Sequence, residues 1–127
     1  MKVGILGSGS VGARLAALAR AGGHDVYVGT RSDAEVAAQQ AEIFILAIPY
    51  LACAEALPQI RTALAGKVVI DATNPLNSDW SPISFADQSS AAEEIAKLIP
   101  AARLVKAFNT VFADVMVPGS YCGMGIR

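Results

Sequence analysis

Gly7-Ser8-Gly9-Ser10-Val11-Gly12 stands directly after the apolar run Val3-Gly4-Ile5-Leu6 and directly before a helical pattern over 11–21. G-x-G-x-x-G between a strand and a helix is the setting of a dinucleotide-binding βα turn. Each glycine has a physical task there. Gly7 permits the tight turn out of the strand. Gly9 lets a pyrophosphate approach the backbone without meeting a Cβ. Gly12 lets the helix lie close on the sheet. The free N–H groups and positive dipole end of the helix then face the phosphates. Ser8, Ser10 and Val11 belong to the same candidate phosphate site.

The choice of dinucleotide falls about 20 residues further on, at the end of the second strand. That strand reads Asp25-Val26-Tyr27-Val28-Gly29-Thr30 and runs into Arg31-Ser32. A carboxylate at this point holds the ribose hydroxyls of NAD and repels a 2′-phosphate. The guanidinium of Arg31 and the hydroxyls of Thr30 and Ser32 would bind one, so the expected cofactor is NADP. Asp33 is the rival carboxylate. It lies past the strand end, and Ser32-x-x-Glu35 reads as a capping box with Asp33 in the first helical turn.

The remaining elements alternate. Gly22-Gly23-His24 closes the first helix, and a short helix over about 33–40 leads to the apolar run 42–48, which Pro49 ends. Residues 51–64 have helical character, but Pro58 predicts two short pieces, with Gly66 closing the second. Strand four is 67–72. A polar loop with Trp80 and Pro82 follows. Ser90-x-x-Glu93 is a capping box, and strand five is 103–108. Continuous apolar strands joined by helical crossovers predict an α/β fold, a doubly wound, Rossmann-like parallel sheet of five strands. The short link between strands two and three predicts the order 2-1-3-4-5. The switch point then lies between strands one and three.

With 127 residues, 54% of them apolar, the chain has the material for one packed NADP-binding domain over 1–127, in which 114–127 form an atypical tail. A net charge of −1 offers no electrostatic footprint for nucleic acid. Cys53 and Cys122 match no metal or redox spacing and read as free thiols in a reducing compartment. With neither a signal-peptide pattern nor an apolar run of membrane-spanning length, a cytoplasmic protein is expected.

The carboxyl ends of the strands carry the other candidates. Ile48 and Pro49 would form an apolar wall beside the nicotinamide, with Tyr50 next to them. Asn74, in the turn dipeptide Asn74-Pro75, and Asn109-Thr110 offer amide and hydroxyl groups to the ribose or carboxamide. No catalytic side chain is expected. His24 lies at the wrong end of the sheet, Lys106 reads as lying within its strand, and Asp71 as turned to backbone or water. Tyr50 is the weak candidate for an acid. That pattern fits hydride transfer between two bound rings, where alignment carries most of the work.

Six segments together resemble one family: Gly7–Gly12, Val28–Ser32, Ala47–Tyr50, Asp71–Leu76, Ser90–Glu94 and Lys106–Thr110. The chain is similar to the NADPH-dependent reductases of the deazaflavin coenzyme and, more distantly, to the reductase core of ferric-reducing membrane proteins. The resemblance implies NADP on the glycine loop and on Thr30-Arg31-Ser32. It implies the nicotinamide near Ile48, Pro49 and Asn109-Thr110, with a deazaflavin or flavin as second substrate. Relative to the family, the link between strands two and three is compressed and the C-terminus is shortened. The alternatives are an imine or carbonyl reductase using Tyr50, and a non-catalytic NADPH-binding or sensing module. The fifth strand is expected to be an exposed edge and to support a homodimer.

Overall fold

The computed structural model describes residues 1–30, 32–73 and 90–107. Five strands, β1 (Lys2–Leu6), β2 (Asp25–Gly29), β3 (Ile43–Leu46), β4 (Val68–Asp71) and β5 (Arg103–Lys106), form one parallel sheet. Their order is β2-β1-β3-β4-β5, as the short β2–β3 link predicted. The crossovers carry α1 (Ser10–Ala21), α2 (Ala34–Gln40), α3 (Cys53–Leu64) and α4 (Ala91–Leu98), with a 3₁₀ turn at Tyr50–Ala52 leading into α3.

The pleat divides the core in two. Leu6, Phe44, Leu46 and Val69 point to one face and bury α2, α3 and α4 there. Val3, Ile5 and Ile45 point to the other and bury Leu15 and Ala16 of α1. Alanine makes this close layering possible. A Cβ on Gly4 would come within 2.8 Å of the Ala41 Cβ and 2.9 Å of the Ala37 carbonyl oxygen, so α2 lies almost on the backbone of β1. Helix α1 ends where Gly23 takes φ +86°, with His24 N–H bonded to the Ala19 carbonyl at 3.1 Å and Gly23 N–H to that of Arg20 at 3.0 Å. This is the Schellman arrangement. Ser90 caps α4 through its Oγ, which accepts from Glu93 N–H at 3.2 Å, as its capping-box pattern predicted.

Two local expectations are corrected. Pro58 does not divide residues 53–64: α3 is one helix with the proline inside it. Cys53, Leu57, Ile60 and Leu64 form a continuous buried stripe, while Pro58 and Ala54, whose carbonyl loses its partner, are both exposed. The unpartnered carbonyl belongs to an exposed residue, and the stripe keeps the helix whole. Ser32 does not cap α2 either. The N-cap is Asp33, and its side chain makes no capping bond because it turns back to Thr30. The far end of α2 is closed from a distance: Lys67 Nζ donates to the carbonyls of Ala38 (2.6 Å) and Gln39 (3.2 Å).

Candidate functional site

The turn after β1 is strained where glycine is needed and open where a ligand would need it. Gly7 adopts φ +120°, and a Cβ there would run into the Ala47 carbonyl. Gly12 is buried, and a Cβ on it would overlap the Gly7 carbonyl and lie 3.5 Å from the Ala47 Cβ. Gly9 differs from both. As N-cap of α1 it has φ −73°, which any residue adopts, and a Cβ on it would meet no protein atom within 4 Å. The fold therefore makes no demand for glycine at position 9. The exposed space beside the first turn of α1 is where an anionic group would sit against free backbone N–H groups. Ser8 and Ser10 are exposed on this turn, and Val11 packs under it against the α1 core.

At the tip of β2 the candidate residues are gathered by one carboxylate. Asp33 Oδ1 accepts the Thr30 N–H at 2.5 Å and the Thr30 hydroxyl at 2.9 Å, and the Thr30 and Ser32 hydroxyls lie 3.4 Å apart. These bonds hold the Asp33 carboxyl below its ordinary value. Arg31 lies outside the described residues.

A cleft of about 440 Å³ joins the two corners. Gly7 and Ser8 line it on the β1 side and Thr30 and Ser32 on the β2 side, with Ile48 and Pro49 along its apolar wall. The opposite wall, which the sequence did not flag, is the outer surface of α3, where Glu55 and Gln59 face the cleft. The signal available was their i, i+4 spacing on the polar side of the α3 stripe. Tyr50 is not part of this cleft. It lines a separate cavity of about 200 Å³ with Cys53, Glu94 and Ile95, between α3 and α4. Burial raises its phenol above the usual value, with the Glu94 charge adding to the effect. Cys53 beneath it is buried, and its thiol is pushed up to about 12 by desolvation and then by the Asp71 charge. Asn74, Pro75, Asn109 and Thr110 lie outside the described residues.

The tips of β4 and β5 hold a second polar group. Asp71 is fully buried; its Oδ1 accepts the Thr73 N–H at 2.9 Å and the Thr73 hydroxyl at 2.6 Å, and its Oδ2 lies 3.3 Å from Lys106 Nζ. Lys106 also donates to the Thr73 carbonyl. Two sequence readings change here. Lys106 is the last residue of β5, at its tip, because the strand is shorter than expected. Asp71 is turned to the backbone of Thr73, as expected, but also to a lysine. Register explains the pair: Asp71 and Lys106 are direct neighbours on adjacent strands and project from the same face. Opposite charges at the ends of two apolar strands were the available signal.

Among the described residues no group of three or more His, Cys, Asp or Glu is placed to hold a metal ion. Among the same residues no helix is long and apolar enough to cross a membrane.

The model of the family described as NADP oxidoreductase, coenzyme F420-dependent, matches residues 30–75. The F420-dependent NADP reductase of Methanothermobacter marburgensis is 31% identical over 150 residues, covering 92% of this chain and 66% of that protein. Metalloreductase STEAP3 of Rattus norvegicus is 31% identical over 133 residues, covering 93% of this chain and 26% of that protein. A crystal structure from Arthrobacter sp. FB24, provisionally assigned as an F420-dependent NADP reductase, superposes with a TM-score of 0.81 at 29% identity. It covers 93% of this chain and 66% of that one. The chain thus spans less than two thirds of each of these proteins.

Proposed function

The chain belongs to the family of coenzyme F420-dependent NADP oxidoreductases, and on that premise we propose that it binds NADPH and passes hydride to a deazaflavin or flavin-like acceptor. One observation carries the binding half of this reading: Gly9, where the fold would accept any side chain, borders open space at a helix N-terminus. The pyrophosphate fits there, held by the backbone N–H groups of the glycine turn and the first turn of α1. From that point the adenosine half runs toward the β2 tip, where Thr30, Arg31 and Ser32 receive the 2′-phosphate. Ile48 and Pro49 exclude water beside the other half, which runs over the tips of β3, β4 and β5.

NADPH supplies the hydride; the chain supplies position. The residues' work is to hold one ring at a fixed distance from a second ring and to keep water away. Tyr50 lines the α3–α4 cavity, one residue beyond Pro49 of the cleft wall. Asn74, Pro75, Asn109 and Thr110 follow directly after the β4 and β5 tips in sequence, and we assign them to the nicotinamide half.

The test has two stages. Titration with NADPH and NADH, followed by the nucleotide's fluorescence, should show saturable binding with NADPH favoured. Absorbance at the reduced-nicotinamide band should then fall when a deazaflavin or flavin is added. Binding without turnover of deazaflavin, flavin, imine or carbonyl acceptors would make this chain an NADPH-binding module. Absence of binding would remove the reading altogether.

A further inference from the structure

The Asp71–Thr73–Lys106 group has no role in the scheme above, and its construction calls for one. Asp71 is fully buried and the Lys106 side chain is 28% exposed. Taking such a pair out of water costs free energy that the mutual attraction barely recovers, so stability is a weak reason for it. Its effect on geometry is large. Asp71 takes both the N–H and the hydroxyl of Thr73, an Asx-type turn that ends β4. Lys106, arriving from β5, takes the remaining Thr73 carbonyl and the second Asp71 oxygen. Every polar group of Thr73 is thereby fixed, and the tips of β4 and β5 are locked in one register. These tips lie across the switch point from β2, on the side to which the nicotinamide half is directed.

We propose that Lys106 is a positioning residue for the nicotinamide half of the dinucleotide, acting through the Asp71 carboxylate and the Thr73 carbonyl. The proposal rests on the NADPH reading. It makes one demand that a purely structural ion pair does not. Loss of the bridge must weaken the ligand's nicotinamide end and leave its adenosine end alone, because β1 and β3 lie between β2 and the β4–β5 pair.

The probes are NADPH and adenosine 2′,5′-bisphosphate, which carries only the adenosine end, titrated calorimetrically against wild type, Lys106→Met and Lys106→Arg. The wild type should bind both. Lys106→Met should weaken NADPH about tenfold or more and leave the bisphosphate within about twofold. Lys106→Arg, which keeps the charge, should recover part of the loss. Affinities for both probes unchanged from wild type in Lys106→Met, or equal losses of both, would overturn the proposal. If Lys106→Met does not fold, the comparison is read from Lys106→Met/Asp71→Asn, in which no buried charge is left unpaired. Failure of that double variant to fold would make the pair a folding element only, and the proposal would fall. A wild type that binds neither probe would instead remove the NADPH reading itself.

Discussion

Asp33 closes on Thr30 three residues before it, accepting both its N–H (2.5 Å) and its hydroxyl (2.9 Å) through one oxygen. A carboxylate near the tip of β2 would ordinarily be available to ribose hydroxyls; here it is engaged by the protein. Its charge still stands near the proposed 2′-phosphate. Asp33→Asn keeps an acceptor and removes the charge, so the preference for NADPH over NADH should rise about two- to fivefold, the scale of an exposed charge interaction. The gain should shrink at high salt. Asp33→Ala also removes the acceptor and should weaken both cofactors. The carboxyl is held below its ordinary 3.8, so the ionised clasp is favoured above that pH and is lost only as pH falls through the lowered value. Paired titrations at two salt concentrations test this, and an unchanged preference in Asp33→Asn would exclude a charge effect.

Gly9 and Gly12 should separate binding from folding. Gly9→Val places its side chain in open space and should leave the thermal midpoint of the ligand-free protein nearly unchanged while abolishing NADPH binding. Gly12→Ala drives a Cβ into the Gly7 carbonyl and should lower that midpoint markedly. Calorimetric melting with and without NADPH reads both. Normal binding by Gly9→Val would remove the phosphate-turn assignment.

Arg31 lies between Thr30 and Ser32, which both line the cleft. A hydrogen bond to a charged group contributes about 1.5–3 kcal/mol. Arg31→Ala should therefore weaken NADPH by about ten- to a hundredfold and barely alter NADH. Equal losses for the two cofactors would take Arg31 out of this role.

Cys53 should be chemically silent in the folded protein. Its thiol is pushed up to about 12 by burial, so it stays protonated and unreactive at pH 8. In a Cys122→Ser background, iodoacetamide should label position 53 only after denaturant is added, as followed by mass spectrometry. Because the folded value is raised, the neutral thiol favours folding below the unfolded value and that contribution is lost as pH climbs toward 12. Rapid native labelling at pH 8 would contradict the burial.

Strand β5 is an edge of the described sheet, and Val105 on it is 49% exposed. Self-association through this side is expected, and Val105→Lys should shift the protein toward monomer. Sedimentation velocity at low micromolar concentration distinguishes the two; a monomeric wild type would end the dimer expectation.

The sheet order was legible because it depends on coarse quantities: apolar runs, their spacing and the length of the β2–β3 link. The shape of the glycine turn was legible for a similar reason, since Gly7 and Gly12 act through the backbone. What escaped depended on side-chain direction. Pro58 reads as a helix break unless the depth of the Cys53–Leu57–Ile60–Leu64 stripe is known. Ser32 reads as a cap unless Asp33 is seen to turn toward Thr30. The Asp71–Lys106 pair needed the register of two strands 35 positions apart in the chain.

Helix α2 has seven residues, fewer than a helix needs to persist alone in water. It is held at its far end by Lys67, the residue just before β4, and along its length by the bare backbone of β1. The corner proposed to select the cofactor is therefore expected to have no independent melting. Its amides should exchange with solvent only through the opening that also releases the central strands, at one shared rate. Cofactor choice at the proposed site is thus expected to belong to the whole cooperative unit, and substitutions deep in the α2–β1 contact should alter it without touching a ligand.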